Sequence, residues 1–298
     1  MNAVNHLGRP STEILAAASC IFCISMNETR RRRVTAQASQ HNLKVTFVPG
    51  IDVRCSKQCK PSARPPTTSF RTVRQNVQFD FPNIVVTSKP VKRIVSKVGR
   101  SRIVQIKPAV MSYGEIGCTI AHLLAILRFA KQGKPGTKAI IMEDDTTFEL
   151  VPFWPKTLAE IIASAPAGWQ LLNLSNHHEF KTIDMSRLYE RAHKAGAHFY
   201  CITHEAACQL KAMVKNGRLR IENKYGQRHG LIADHFLFKL FRTFQNCAFP
   251  AVCYSDGFSS IGNKSKDSKS NNGMNVMLAH LRNITAASIV NSHELSQK

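Results

Sequence analysis

The sequence predicts an α/β fold with a mostly parallel central sheet. A strand, a helix and a second strand follow one another in residues 14–48, which is the pattern of a βαβ unit. An apolar helix at 116–131 leads into an apolar strand at 139–142, and strands and helices continue to alternate as far as residue 244. Alternation of this kind is typical of a sheet whose parallel strands are joined by helices.

The first βαβ unit has clear boundary signals. Its first strand is predicted over 14–25, an apolar run. Asn27 is suited to cap the following helix, and Glu28 places an acid in the first turn, where the helix dipole favours it. The second strand, at 44–48, is closed by a Pro-Gly pair.

The second half of the chain repeats this alternation. Gly114 and Glu115 open the helix at 116–131, which ends at Gly133, and the strand at 139–142 follows. Further along we expect a helix at 158–163, strands at 169–174 and 198–202, and helices at 205–214 and 233–244.

Residues 53–108 differ in composition from the rest of the chain. They contain thirteen Lys and Arg residues and one acid, Asp80, together with six prolines. We expect a basic, loop-rich insertion with short strands at 84–87 and 103–106.

The domain organisation follows from these changes in composition. Residues 1–12 are predicted to be a disordered leader, and residues 13–262 a single domain that contains the insertion. Residues 263–298 are rich in Lys, Ser and Asn and are predicted to be a mostly disordered polar tail.

The charge balance indicates anionic partners. Lys and Arg outnumber Asp and Glu by 41 to 19, which gives a net charge of +22. No run of residues approaches the roughly 20 apolar residues of a membrane-spanning helix. The nine cysteines show no regular framework, as expected for reduced thiols. We therefore expect a cytoplasmic protein whose positive charge also allows peripheral contact with an anionic membrane.

Three adjacent acids, Glu143, Asp144 and Asp145, stand out in this basic chain. They follow the apolar strand directly, and ligands of parallel sheets bind outside the carboxyl ends of the strands. A carboxylate cluster there can hold a hard divalent cation. The alternative is structural: Asp144 caps a helix and Glu143 pairs with a nearby arginine. The three acids alone do not distinguish a cation site from this structural alternative.

Three segments follow one another along the chain: CISMNETRRRR at 23–33, GEIGCTIAH at 114–122 and IIMEDD at 140–145. Together they resemble glycosyltransferase family 25, which comprises bacterial lipooligosaccharide sugar transferases and collagen β-galactosyltransferases, and the second and third segments are the most specific. Weaker similarities lie at 168–175, 197–210, 233–237 and 259–261, in the family's order. Two positions depart from the family pattern: Ala121 replaces a Ser, and Ser260 stands where Asp is common.

The resemblance implies a GT-A-type nucleotide-sugar-binding fold and hexose transfer, of galactose or glucose, from a UDP-sugar with inversion. It implies manganese (or magnesium) held by Asp145 together with Glu143 or Asp144. The acceptor would be a glycan, a lipid-linked group or a protein hydroxyl. The donor-side residues that it implies are Ser25, Arg30, Arg33, Glu115 and Asn173, and the implied catalytic base is Asp234.

Each implied role has a structural alternative. In a run of four arginines on a helix, some side chains must point into solvent. The alternative for Arg30 and Arg33 is therefore a solvated position on the helix surface. Asp234 is equally suited to cap a helix, and Glu115 to stabilise a first turn. His122, on an apolar helix, is predicted to be a satisfied core histidine rather than a ligand.

A second function class stays open at this point. The insertion and tail could serve a basic nucleic-acid or anionic-surface binding protein built on a catalytically decayed transferase scaffold. Aromatic residues are only 8% of the chain and are not interleaved with the basic run, so no stacking platform is visible. We therefore expect no specific nucleic-acid partner.

Overall fold

The computed structural model describes residues 10–51, 72–73, 77–81, 84–88, 111–148, 151, 154, 156–174, 189–191, 196–223 and 232–246. Most of the basic insertion, including the strand expected at 103–106, lies outside these residues, and so does the polar tail.

The described chain contains six helices and thirteen strands. The helices are α1 (Ser11–Ile14), α2 (Glu28–Gln40), α3 (Tyr113–Gln132), α4 (Leu158–Ala163), α5 (His204–Ala212) and α6 (Ala233–Leu240). The strands are β1 (Cys20–Ser25), β2 (Val45–Pro49), β3 (Thr72–Val73), β4 (Val77–Phe81), β5 (Ile84–Ser88), β6 (Met111–Ser112), β7 (Lys138–Glu143), β8 (Leu171–Asn173), β9 (Tyr189–Arg191), β10 (Phe199–Thr203), β11 (Val214–Lys215), β12 (Arg218–Asn223) and β13 (Thr243–Asn246).

Seven strands form the central sheet, in the order β2-β1-β7-β10-β8-β13-β9. β1 pairs in parallel with β2 and β7, and β8 pairs in parallel with β13. β10 is antiparallel to both β7 and β8, and β9 is antiparallel to β13. Five of the seven strands thus point the same way. The α/β prediction is confirmed, and the mostly parallel sheet is consistent with a GT-A-type fold.

Helices cover both faces of this sheet. One apolar cluster joins α3, α5 and α6 to the sheet, and a second joins α1, α2 and α4 to the opposite face. Strand β7 contributes residues to both clusters, because successive side chains of a strand point to opposite faces. Ala139 and Ile141 lie in the first cluster, and Ile140 and Met142 lie in the second. β7 is therefore buried on both sides.

Part of the basic insertion has a defined place. β5 confirms the short strand expected at 84–87, and it pairs with β4 on one side and with β12 on the other. β11 completes this four-stranded sheet, and β3 pairs with β6 in a separate small sheet.

Several boundaries differ from the prediction. The first strand begins at Cys20, because Ser11–Ile14 forms α1 instead; Ser11 and Thr12, expected in the leader, belong to that helix. The helix expected at 233–244 ends at Leu240, because the chain turns extended at Phe241 and Thr243–Asn246 pairs with β8. An apolar run of residues does not by itself show whether its backbone continues a helix or pairs with another strand.

No helix in the described part of the chain is long and apolar enough to cross a membrane. The longest is α3, whose twenty residues include Glu115, Arg128 and Lys131. Its apolar face packs instead on the sheet and on α5 and α6.

Replacing Phe129 of α3 by alanine is expected to lower the free energy of unfolding by about 3–5 kcal/mol. The ring is fully buried and packs 6.4 Å from Phe22 and 5.5 Å from His204, centroid to centroid. Urea unfolding followed by circular dichroism measures the change. Met213→Ala is the control, since that side chain is exposed and should change stability by less than about 0.5 kcal/mol. Equal effects of the two substitutions would contradict the assigned core.

Candidate active site

The three acids at the end of β7 are separated by the alternation of the strand. Ile141 packs on the α3 side of the sheet and Met142 on the α2 side. Continuing this alternation sends Glu143 toward α3 and Asp144 toward α2. The contacts of the two side chains agree with that placement. Adjacent carboxylates therefore meet different partners.

Asp144 is held by β1 and α2. Ile24 pairs with Glu143, so Ser25 lies level with Asp144, and its hydroxyl donates to Asp144 Oδ2 at 2.6 Å. Arg30 Nη1 donates to Asp144 Oδ1 at 3.0 Å, with both side chains about nine-tenths buried. Arg33 Nη2 donates to the backbone carbonyl of Asp144, also at 3.0 Å. Ser25 and both arginines thus fix one residue of the triplet.

Glu143 is held from α3 and from β10. His122 Nε2 donates to Glu143 Oε1 at 3.0 Å, and the Cys118 thiol donates to the same oxygen at 3.5 Å. These two residues are one turn apart on α3 and so share a face. His198 Nδ1 lies 3.3 Å from the other oxygen, Oε2. His122 is fully buried, and its Nδ1 lies 3.1 Å from the Tyr200 hydroxyl, which confirms the satisfied core histidine.

The structural alternative for the triplet is therefore wrong in its assignments. The arginine pairs with Asp144 and not with Glu143, and residues 144–145 form a turn rather than beginning a helix. Burial raises the pKa of Glu143, but the charge of His198 and the hydrogen bonds from His122 and His198 outweigh it, so that the pKa lies well below its usual range. Glu143 is an ionised, oriented acceptor.

His198 reaches Glu143 because of strand register. Phe199 pairs with Met142 across antiparallel strands, so the preceding residue, His198, lies opposite Glu143 and on the same face. Two further bonds lock it to the acidic turn: its carbonyl accepts from the backbone N–H of Glu143 and from the hydroxyl of Thr146, each at 2.9 Å. The imidazole keeps a quarter of its side-chain surface exposed.

Asp145 differs from its two neighbours. Its side chain is 19% exposed, but Oδ1 is buried and has no hydrogen-bond partner in the part of the chain that the structure describes; His198 Nδ1 lies 3.9 Å from it. Burial, reinforced by the charge of Glu143, raises the pKa of Asp145 from 3.8 to about 6. Buried carboxylate oxygens normally have partners, so this oxygen indicates a missing cation or donor.

The residues present fit a divalent cation. Glu143, Asp145 and His198 each offer one ligand atom, and the three atoms lie within 4.8 Å of one another. A second such group in the described chain joins Cys118, His122 and Glu143. Burial and the Glu143 charge raise the pKa of Cys118 well above its usual value, which keeps the thiol protonated and unsuited to a hard cation. The first group is the better metal site.

Asp234 lies in the first turn of α6 and is buried. Its Oδ2 accepts from the backbone N–H of Gly196 at 2.9 Å, two residues before His198, and its Oδ1 accepts from the N–H of His235. The helix cap is Ile232, so the expected alternative of Asp234 as the N-cap is wrong by position. Its carboxylate is tied to the segment that leads into β10.

The two remaining donor-side residues lie near this edge of the sheet. Glu115 is half-buried in the first turn of α3, one turn before Cys118. Asn173 is fully buried at the end of β8. Tyr200 pairs with both Asn173 and Ile141, so Asn173 stands level with a residue two positions before Glu143.

The model of glycosyltransferase family 25 (LPS biosynthesis protein) matches residues 18–223, more than two thirds of the chain. The chain belongs to glycosyltransferase family 25. A search of curated proteins finds no match to it. Within the family 25 match lie α3 and the acidic end of β7, and also β10 with His198.

Sequence reasoning missed His198 and Tyr200 in this family 25 site. Tyr200 lies on β10 and His198 directly precedes this strand, and the partners of His198 and Tyr200, Glu143 and His122, are 55 and 78 residues away in sequence. The segment that contains them was recognised as similar to the family, but its pattern assigned neither residue a role. The available signal was alternation: positions 198 and 200 share one face of a predicted strand.

Asp145→Asn and Asp144→Asn are expected to change the stability of the metal-free protein in opposite directions. An acid whose pKa is raised on folding destabilises the fold as pH rises from 3.8 to about 6, so Asp145→Asn should stabilise above pH 6, by up to about 3 kcal/mol. Asp144→Asn removes the charge that Ser25 and Arg30 bind and should cost about 2 kcal/mol. Thermal unfolding with chelator, at pH 4 and pH 8, measures both. Shifts of equal sign at pH 8 would contradict the assigned contacts.

Proposed function

We propose that this family 25 member is a metal-dependent glycosyltransferase that moves a hexose, galactose or glucose, from a UDP-sugar to a hydroxyl acceptor with inversion. The observation that carries the proposal is Asp145, whose buried Oδ1 lacks a hydrogen-bond partner beside an ionised Glu143. A carboxylate pair of this kind, at the carboxyl end of a central strand, suits a divalent cation and a diphosphate.

Asp145 and Glu143 would hold the cation, manganese or magnesium. Asp144 is less suited, because Ser25 and Arg30 already bind its two carboxylate oxygens. When bound, a divalent cation supplies Lewis-acid stabilisation of the charge on the leaving diphosphate. The protein contributes the preset position of Glu143, whose carboxylate is held by His122 and His198 before donor arrives.

The donor side would be formed where α2 follows β1. Asn27 caps α2 by accepting from the N–H of Arg30, so the helix begins directly beyond the strand end. The N-terminus of a helix favours negative charge, and Arg30 and Arg33 add positive charge beside it. We propose that these arginines face the nucleotide diphosphate while they hold the Asp144 turn. Ser25 acts through Asp144.

Glu115 and Asn173 complete the proposed donor side. Glu115 follows Gly114 at the start of α3, where its carboxylate can accept from a sugar hydroxyl. Asn173 ends β8 at the same edge of the sheet as the acidic turn and offers both a donor and an acceptor. Their roles rest on position in the fold.

We propose Asp234 as the base. In an inverting transfer, the acceptor oxygen bonds to the anomeric carbon as the bond from that carbon to the diphosphate oxygen breaks. The electron pair leaves with UDP, and the acceptor proton passes to Asp234. The bonds from Gly196 and His235 orient this carboxylate, and each oxygen keeps a lone pair for the proton.

The acceptor would be a glycan, a lipid-linked group or a protein hydroxyl. A net charge of +22 favours an anionic one, such as a phosphorylated glycan or a group at an anionic membrane surface. The contrasting function, salt-sensitive binding of nucleic acid or anionic surfaces without catalysis, would leave the partnerless oxygen of Asp145 without a use.

A panel of UDP-sugars should identify one hexose donor from which UDP is released with manganese and not with chelator. Asp145→Asn should lower that release by at least about a hundredfold, because it removes a cation ligand. Glu205→Gln is the matched control: Glu205 is an exposed acid bonded to Gly136, beyond the opposite end of β7. It should leave turnover unchanged.

The enzyme proposal is contradicted if no UDP-sugar binds and neither metal nor Asp145→Asn changes UDP release. Binding to nucleic acid or acidic vesicles that weakens steeply with salt, in the same preparation, would then favour the binding function.

Asp234→Asn should lower kcat by about a hundredfold to ten-thousandfold and leave the dissociation constant of UDP within about threefold. Asparagine keeps the size of the side chain and one acceptor oxygen, so the bond from Gly196 can persist. Steady-state kinetics and UDP titration separate the two quantities. A loss of UDP binding equal to the loss of kcat would show a structural role instead.

A further inference from the structure

We propose that His198 is a third ligand of the metal site, which makes it a mixed site of two carboxylates and one imidazole. This inference rests on the proposed metal-dependent transfer and extends it, since neither the family match nor any motif gives His198 a role. The ligating atom would be Nδ1, which faces both Glu143 and Asp145.

The separations of the three donor atoms suit one shared cation. Nδ1 of His198 lies 3.3 Å from Glu143 Oε2 and 3.9 Å from Asp145 Oδ1. Atoms that each lie about 2.1 Å from an octahedral cation are about 3 Å apart when adjacent and about 4.2 Å apart when opposite. The separations of 3.3 Å and 3.9 Å lie within about 0.3 Å of the adjacent and the opposite value, respectively. Little rearrangement would bring all three atoms to bonding distance.

The position of the His198 imidazole is also fixed by the backbone, as a metal ligand requires. The carbonyl of His198 accepts from Glu143 N–H and Thr146 Oγ1, so its backbone is fixed to the turn that carries the acids. Antiparallel pairing of Phe199 with Met142 sets its face. A side chain used only to neutralise Glu143 would not need this fixed relation to Asp145 Oδ1, which is otherwise partnerless.

A nitrogen ligand has a consequence for metal choice. Imidazole suits first-row transition metals such as iron, nickel and zinc, whereas magnesium and calcium prefer oxygen ligands. The two carboxylates alone would accept either class. With His198 as a ligand, the site should prefer manganese over magnesium, and removal of the imidazole should erase most of that preference.

Electron spin echo modulation of Mn(II) bound to the full chain in the presence of UDP tests the proposal directly. The wild-type spectrum should show a directly bound nitrogen. His198→Phe, which keeps a ring of similar size, should lose that nitrogen and weaken Mn(II) binding at least tenfold, while Mg(II) binding changes less than threefold. His41→Gln is the control and should retain both, because His41 follows the far end of α2, about 16 Å along the helix from Arg30.

Two results would overturn the proposal and leave the proposed function intact. One is bound Mn(II) without a directly bound nitrogen in the wild type, while Asp145→Asn abolishes binding. The other is a nitrogen signal that persists in His198→Phe. Absence of any Mn(II) binding to the wild type, with UDP present, would overturn this inference and the proposed metal dependence together. The wild-type spectrum decides the first result even if the variant fails to fold.

Discussion

The site depends on one constraint: a strand buried on both faces ends in three consecutive carboxylates. Charges at the edge of an apolar core need partners, and strand alternation decides which partners each can reach. Glu143 turns to α3 and β10, where histidines receive it, and Asp144 turns to α2, where arginine and serine receive it. Because the two acids point to opposite faces of one strand, each meets its own partners, and the repulsion between the adjacent carboxylates is reduced.

Within the triplet, this arrangement separates a residue that stabilises the fold from a residue that is suited to bind a ligand. Asp144 has partners for both carboxylate oxygens and joins β1, α2 and β7 at their shared edge. Asp145 keeps a buried oxygen that has no hydrogen-bond partner among the described residues. Burial and the charge of Glu143 raise the pKa of Asp145, and this destabilises the metal-free fold. A protein tolerates such a group where a ligand will later satisfy it, so the unsatisfied member of the triplet is the one that points to function.

Much of the fold was predictable because its signals are local. Apolar periodicity and capping residues located α2, α3 and α5 and the strands β7 and β10 to within a few residues. The early end of α6 was not predictable, because Thr243–Asn246 becomes a strand only through pairing with β8. The strands β9 and β11 were missed for the same reason, since each has only two or three residues and is defined by its partner. β12 was missed although its residues alternate between polar and apolar.

The sequence by itself determined the fold class, the acidic end of β7 and the resemblance to family 25, since all three are written in contiguous residues. The resemblance implied Asp145 as a metal ligand and left Glu143 and Asp144 as alternatives for the second carboxylate. Only the tertiary structure distributed the acids among their partners and brought His198 opposite Glu143. That decision rests on register between distant strands, which is set by cross-strand hydrogen bonding and burial rather than by any local stretch of sequence.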